Sequence, residues 1–486
     1  MSTRTIIIFG ASGDLTFRKL IPALFRLDIE GLLPDDAVVV GVARTPFTPD
    51  QFREQMAEKV QAIFKSGNEG WKGGAWTRFA RRLVYVQGDG ASAAGLKNLH
   101  EFLAQREGSN GGDRVYYLSV KPDLYAQIAC SMAELGMNKE DTGYRRLVIE
   151  KPFGTDLESA RTLTTEIQTH FRERQIYRID HYMGKETVQN ILALRFANTM
   201  FEPLWNSQYI DHVQISVAEK VDVKDRADYY DKSGVLRDMF QSHLLQVMTM
   251  VCMEAPSRFN SERIRNEKIK VLESIVIPTE SEAAGALALG QYHGYHGSKG
   301  VREGSRTPTY AAIRLMVDNR RWTGVPFYIR SGKAMNTRLS EIVIQFRQPP
   351  HNMFQLKQGT EFAANRLVLR IQPDEGIQLS FQTKVPAVDT FELAAQELKF
   401  GYKTAFPDKT MPEAYERLLL DAVKGDSALF MRADEILQSW QIMDPLIAAS
   451  ENAANVHPEA YSVGTTGPAC ADALLARDGR KWHAIG

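Results

Sequence analysis

The sequence predicts an α/β, Rossmann-type dinucleotide-binding domain at residues 1–177, followed by a larger α+β domain at 178–486 with a mostly antiparallel sheet. Three observations carry this. Over roughly the first 170 residues, short β-branched runs alternate with stretches of helical periodicity, the pattern of a parallel, doubly wound sheet. The first of these runs passes through a glycine turn into a helix. Beyond residue 210, strand-like runs succeed one another with few helices between them, which favours antiparallel pairing.

Bulk properties narrow the function. At 486 residues the chain exceeds one ordinary core. Lys+Arg and Asp+Glu number 59 each, so charge gives no support for nucleic acid or an anionic membrane as the main partner. No apolar run approaches the length of a membrane span, and MSTRTIIIFG enters a strand pattern directly, so no secretory leader is expected. Cys130, Cys252 and Cys470 are far apart and form no CxxC pair. The expectation is a reduced, cytoplasmic setting with neither a metal centre nor a disulfide framework.

Taken in order, residues 5–9 form a strand that runs into Gly10-Ala11-Ser12-Gly13-Asp14-Leu15, after which Leu20, Ala23, Leu24 and Leu27 recur at helical spacing. Glycines let the backbone approach a pyrophosphate, and the helix N-terminus then faces it. The spacing is GxxG without the full GxGxxG, so an ordinary tight turn is the competing reading. The next strand, 38–42, ends at Ala43-Arg44-Thr45. An acid there would hold the ribose hydroxyls of NAD, whereas an arginine accommodates a 2′-phosphate. Arg44 therefore favours NADP and leaves NAD as the weaker alternative, because arginine also stacks on adenine. Strands at 83–86, 115–120 and 146–150 lead to Gly88-Asp89, Lys121-Pro122 and Lys151-Pro152 respectively, with Pro152 a candidate cis proline. Ligands gather at the carboxyl ends of such strands, where Gly10, Arg44, Gly88 and Lys151 fall.

Residues 178–186, RIDHYMGKE, pack an acid, an imidazole, a phenol and an ammonium just before a run in which Val188, Leu192 and Phe196 recur every four. The spacing predicts a helix from near Gly184 with Lys185 in its first turn, and such an N-terminus suits a phosphate or carboxylate. The plain alternative is a capped helix facing water. Residues 211–218 alternate, and 235–251 read as a helix whose apolar stripe of Leu236, Phe240, Val247 and Val251 includes His243. A buried imidazole backed by a carboxylate is suited to general-base work. On standard helix geometry Asp238 lies about 140° from His243, which makes Asp180 the better partner and leaves Asp238 for substrate. Residues 285–305 read as a long loop, with His293 and His296 in a connection rather than on a metal. Strands follow at 310–317, 341–346, 366–371, 377–383 and 391–400, and the sheet they form needs a cover from helices or a second subunit. Lys333, beyond a further strand, and Arg338 add cations suited to sugar hydroxyls or phosphate.

GASGDL near the start, EKPFG at 150–154, RIDHYMGKE, VAEK at 217–220, GVLRDMFQSHLLQ at 234–246, RWTGVPFYIRSGK at 321–333 and ERLLLDAVKGDSALFMRADE at 416–435 occur in one order along the chain. In these motifs the chain resembles the glucose-6-phosphate dehydrogenases over nearly its whole length. The resemblance implies NADP-linked oxidation of β-D-glucose 6-phosphate at C1 to the 6-phosphogluconolactone, the first step of the oxidative pentose phosphate pathway, by a homodimer or homotetramer. It implies His243 as the base and Asp180 as the carboxylate that orients it. His181, Tyr182 and Lys185 would bind the sugar phosphate, Glu219 and Asp238 the hydroxyls, and Lys333 and Arg338 would complete the pocket. Lys151 would sit between sugar and cofactor. Gly10, Ala11, Ser12, Gly13, Asp14, Leu15, Arg44 and Asp89 would hold the cofactor, and Lys19 matches a lysine of the active-site region.

Two positions depart from the family pattern. Ser242 stands before the base where asparagine is usual, which loosens the positioning of His243. Thr16-Phe17 replaces a pair of the Ala-Lys kind and removes one cation near the cofactor phosphates. Two other readings compete, a dehydrogenase of a different sugar and a non-catalytic NADP-binding sensor. His181 with Lys185 favours a phosphorylated substrate, and His243 with Asp180 favours catalysis.

Overall fold

Six short segments make the first sheet. β1 (Thr3–Phe9), β2 (Val38–Ala43), β3 (Leu83–Gln87), β4 (Gly112–Leu118), β5 (Arg145–Ile149) and β6 (Ile176–Arg178) pair in the order β3-β2-β1-β4-β5-β6, every neighbouring pair parallel. This is the dinucleotide-binding strand order, with its switch point between β1 and β4. The central strands are buried on both faces, as parallel strands covered by helices must be. The computed structural model describes residues 3–67, 70–351, 353–354, 362–388, 391–452 and 457–485.

The sequence reading divides the chain at 177/178. By compactness the units interleave instead. The first takes residues 1–184 together with 257–265 and 412–437, and the second takes 185–256, 266–411 and 438–486. Within the first unit the late segment is tied in by the backbone. Arg146 Nη1 donates to the carbonyls of Ala422 and Val423 at 2.7 and 2.6 Å, and Met431 N–H donates to Arg178 O at 3.0 Å. The helix Ala414–Lys424 packs on the helix Ile21–Ile29, where Arg26 meets Glu416 at 3.3 Å. Burial outweighs this guanidinium and pushes the Glu416 carboxyl up to about 7.

The second unit is built on nine strands: β7 (Ile210–Ala218), β8 (Leu287–Tyr292), β9 (Tyr310–Met316), β10 (Pro326–Gly332), β11 (Leu339–Phe346), β12 (Arg366–Gln372), β13 (Gly376–Lys384), β14 (Leu393–Gly401) and β15 (Glu459–Tyr461). Their order is β14-β13-β12-β11-β7-β10-β9-β8-β15. Pairing is antiparallel except between β7 and β10 and between β8 and β15. β8 corrects the expectation of a continuous loop at 285–305: Leu287–Tyr292 pairs with β9 on one side and β15 on the other. A Cβ at Gly290 would stand 2.8 Å from Pro468 Cγ, so the residue serves close packing inside a strand.

The helix Glu186–Phe196 packs on β12 and on the helix Leu245–Cys252. Arg195, fully buried, donates from Nη1 to the carbonyls of Met250 and Val251 at 3.2 and 2.9 Å, and Trp205 and Trp322 donate to Val251 O and Cys252 O, both at 2.9 Å. These donors satisfy the C-terminal carbonyls that the helix itself leaves unpaired. Upstream, the expected uniform helix at 235–251 is corrected. Gly234, at φ +63, sets it off from the helical stretch Ala227–Val235, and Leu236–Leu244 winds as a π-helix, with Leu245 N–H reaching back to Phe240 O.

Candidate active site

In the first unit, β1 ends in the glycine turn. Gly10 has φ +75, and a Cβ there would lie 2.0 Å from Ser119 O, so only glycine lets β1 and the end of β4 meet this closely. Gly10 and Ala11 N–H both donate to Val42 O, at 2.9 and 3.1 Å, and Gly13 N–H closes the turn on Gly10 O at 2.8 Å. Beside the turn lies a cavity of about 580 Å³, lined by Gly10, Ser12, Gly13, Arg44, Asp89 and Lys121 among others. It sits at the carboxyl ends of the strands at the switch point, where open α/β sheets take their ligands. Arg44 is exposed, while its backbone is fixed: Gln87 Nε2 donates to Arg44 O at 3.1 Å, and Tyr85 OH donates to Thr45 O at 2.5 Å. Thr45 Oγ1 donates to Ser12 Oγ at 3.0 Å and joins the two sides of the cleft.

Not every expected cofactor residue lines this cleft. Ala11 is buried beneath the turn, and Asp14 is exposed and paired with Arg18 at 3.3 Å. Leu15 and Lys151 also stand outside the lining. Lys19 pairs with Glu413 at 2.8 Å. Lys121, Thr45 and Tyr85 were missed. Lys121 had a signal, being a cation directly after a strand, whereas Tyr85 acts through a hydroxyl that its place in a strand conceals.

The ends of β5 and β6 carry the remaining polar groups of this unit. Ile179 N–H donates to Ile149 O at 2.9 Å, which brings Glu150-Lys151 and Asp180 to one edge. The Lys151–Pro152 peptide is cis. Tyr117 OH donates to Glu150 Oε1 at 2.5 Å, and burial pushes the Glu150 carboxyl upward. Asp180 is 0% exposed and accepts at Oδ1 from Tyr182 N–H at 2.9 Å. Tyr182 is buried, and its ring meets that of the half-buried His181 with centroids 5.1 Å apart.

The second unit holds the other candidates. Lys185 is the N-cap of the helix Glu186–Phe196, one position ahead of the expected first turn, and its Nζ donates to Gln372 Oε1 at 2.6 Å. Glu219 and Lys333 follow the parallel neighbours β7 and β10 and form an ion pair of 2.6 Å. Lys333 Nζ also stands 5.1 Å from the centroid of the Tyr230 ring, a cation–π contact. Tyr230, 3% exposed, has no hydrogen-bond partner for its hydroxyl among the described residues, and burial followed by Asp238 and Glu219 pushes that phenol up. Tyr230 and Gln372 are further missed residues, since nothing in their spacing marks them. Arg338 is exposed.

His243 is 1% exposed on the π-helical segment. The i→i+5 winding sets residue i+5 one turn above residue i, so Asp238 and His243 leave one side of the helix. The 140° separation drawn from standard geometry is thereby corrected. Ser242 is buried, and its Oγ has no partner among the described residues, so the serine supplies no hydrogen bond beside the base.

A glycine turn at the switch point of a β3-β2-β1-β4-β5-β6 sheet, with a cavity beside it, defines a Rossmann-type dinucleotide-binding protein. Comparison with known families narrows the class. Residues 7–190 match the glucose-6-phosphate dehydrogenase NAD binding domain, and residues 192–483 match the glucose-6-phosphate dehydrogenase C-terminal domain. The chain belongs to the glucose-6-phosphate dehydrogenase family. It is 45% identical to glucose-6-phosphate 1-dehydrogenase of Aggregatibacter actinomycetemcomitans over 98% of this chain and 97% of that one. It is 40% identical to the protein named glucose-6-phosphate 1-dehydrogenase 5, cytoplasmic, of Arabidopsis thaliana, over 98% of this chain and 91% of the relative. A solved glucose-6-phosphate dehydrogenase in complex with its substrate glucose 6-phosphate superposes with a TM-score of 0.91 at 35% identity, covering 99% of each chain.

Proposed function

We propose that the chain oxidises β-D-glucose 6-phosphate at C1 to 6-phospho-D-glucono-1,5-lactone, with NADP as the preferred acceptor. The observation that carries this reading is the buried His243 on a π-helical turn with Asp238 on its side, in a chain of this family. Bound nicotinamide supplies the hydride acceptor. His243 takes the C1 hydroxyl proton as the C1–H bonding pair leaves and the C1=O bond forms. Asp180 keeps the imidazole in the accepting tautomer and steadies the imidazolium. Lys185, His181 and Tyr182 hold the phosphate, Glu219 and Asp238 the hydroxyls, and Lys333 and Arg338 the rest of the sugar phosphate. Lys151 contacts both sugar and cofactor.

The cofactor cleft fits a dinucleotide, because Gly10 leaves the turn without a Cβ and Arg44 and Lys121 bring cations to it. Arg44 supports NADP over NAD. The exposed face of β13 and β14 supports a homodimer. Leu398 is 61% and Phe400 38% exposed on β14, an apolar surface that a second copy of the chain would cover. Among the described residues no helix is long and apolar enough to cross a membrane, and with the plant relative's name this supports a cytoplasmic enzyme.

The test is nicotinamide reduction by purified protein with glucose 6-phosphate or free glucose, and NADP or NAD. Reduction that requires the sugar phosphate and runs faster with NADP supports the reading. NADP binding without reduction would sink it in favour of a sensor, and equal rates with free glucose would move it to another sugar.

A further inference from the structure

Within the second unit a cavity of about 340 Å³ opens beside the helix break at Gly234. Leu236, Pro308 and Ile447 give it apolar lining, and the charged part of its lining is mostly basic. Lys232, Arg237, Arg302 and Arg306 line it against the two carboxylates Asp231 and Glu451. Asp231 is occupied with the fold. Its carboxylate accepts from Tyr295 OH at 2.9 Å, from Arg302 Nε at 2.9 Å and from Ser305 Oγ, and these donors hold the carboxyl down at about 2 against the opposing effect of burial. Glu451 pairs with Arg237 at 2.6 Å from a side chain that is 60% exposed, and such a pair exchanges readily for a better anion. The volume falls at the lower end of that of small-molecule sites. Lys232 also pairs with Asp228 at 3.0 Å, so the four cations face three carboxylates, and a lining that joins apolar side chains to a cation in excess suits an organic molecule bearing phosphate.

We propose that this cavity binds a small organic phosphate at a site separate from the cofactor cleft and from the groups around Lys333. The location gives such a ligand leverage on the reaction. It would touch Gly234, just ahead of the π-helical segment bearing Asp238 and His243, and Leu236 and Arg237 within that segment. Gly234, at φ +63, is the joint about which that segment can tilt.

The experiment is calorimetric titration of the full chain with inorganic pyrophosphate and, separately, glycerol 3-phosphate. Glucose 6-phosphate and reduced cofactor are kept saturating, so that the catalytic and cofactor anion sites are filled without turnover. Arg306→Ala and Lys232→Ala are the variants, because neither residue holds Asp231 or adjoins Asp238, and Arg306→Lys is the conservative control. We expect saturable binding of both probes, weakened about tenfold or more in each alanine variant and largely restored in Arg306→Lys. KM for glucose 6-phosphate should shift with added glycerol 3-phosphate in the parent and not in the alanine variants. Absence of saturable heat would overturn the proposal, as would binding unchanged in both alanine variants. Loss of pyrophosphate binding alone, with glycerol 3-phosphate never bound, would overturn the organic-phosphate assignment.

Discussion

Lys333 and Glu219 meet at 2.6 Å one step beyond the last paired rung of β10 and β7, where Gly332 faces Ala218. Parallel register delivers an ammonium and a carboxylate to the same sheet edge, and Tyr230 covers one side of the ammonium. Lys333→Met should raise KM for glucose 6-phosphate by about tenfold to a hundredfold, the range for one charge-assisted hydrogen bond. Its effect on kcat should be smaller. Steady-state kinetics checks this, and an unchanged KM would remove Lys333 from the substrate site.

His243→Asn should lower kcat by about 10²–10⁴-fold, the usual contribution of a positioned base. Substrate affinity, read by calorimetry, should stay within a few-fold of the parent. Equal turnover would take His243 out of the mechanism.

The legible part of the fold was the part encoded locally. The first five strands of the first sheet are short apolar runs each followed by its own turn, so Gly10, Arg44 and Lys151 could be placed at strand ends from sequence, whereas the three-residue β6 (Ile176–Arg178) was too short to show. The π-helical winding of Leu236–Leu244 was not legible, because LRDMFQSHL carries the same periodicity signals as an ordinary helix. Gly234 was its one trace. Tyr230 and Gln372 escaped for a different reason: their roles depend on pairings with Lys333 and Lys185 across 103 and 187 positions of chain. The long-range tie of Arg146 to Ala422 and Val423 was equally invisible.

Arg44→Ala should reduce the preference for NADP over NAD, chiefly by raising KM for NADP, because the 2′-phosphate loses its cation. Kinetics with both cofactors measures the ratio. A preference that survives intact would assign the 2′-phosphate to another group of the cleft.

Glu416 gives the protein a pH signature. Its folded-state pKa of about 7 lies above that of an unfolded glutamate, so the folded state favours the protonated form. The stabilisation is fully present below the unfolded value, near 4.3, and is lost as pH rises through about 7. Chemical denaturation from pH 5 to 8 should show declining stability that Glu416→Gln flattens. Parallel profiles for the two proteins would show that Arg26 keeps the carboxylate ionised throughout.

Leu398→Glu should convert the proposed dimer to monomers in sedimentation experiments, since a charge would stand on the apolar face of β14. A monomeric parent would refute the dimer outright.

The interleaving of the first unit has a consequence for how the protein is made. Its sheet is complete once Arg178 has been synthesised, yet the unit also uses residues 412–437. Until that segment emerges, Arg146 lacks the carbonyls of Ala422 and Val423, and Arg178 O lacks its Met431 donor. Domains commonly fold in the order of synthesis, but here the first to begin cannot finish before 437 of 486 residues have been joined. On the ribosome the dinucleotide-binding sheet waits, partly built, for nearly the whole chain, and chaperones that guard nascent proteins would meet it in that state.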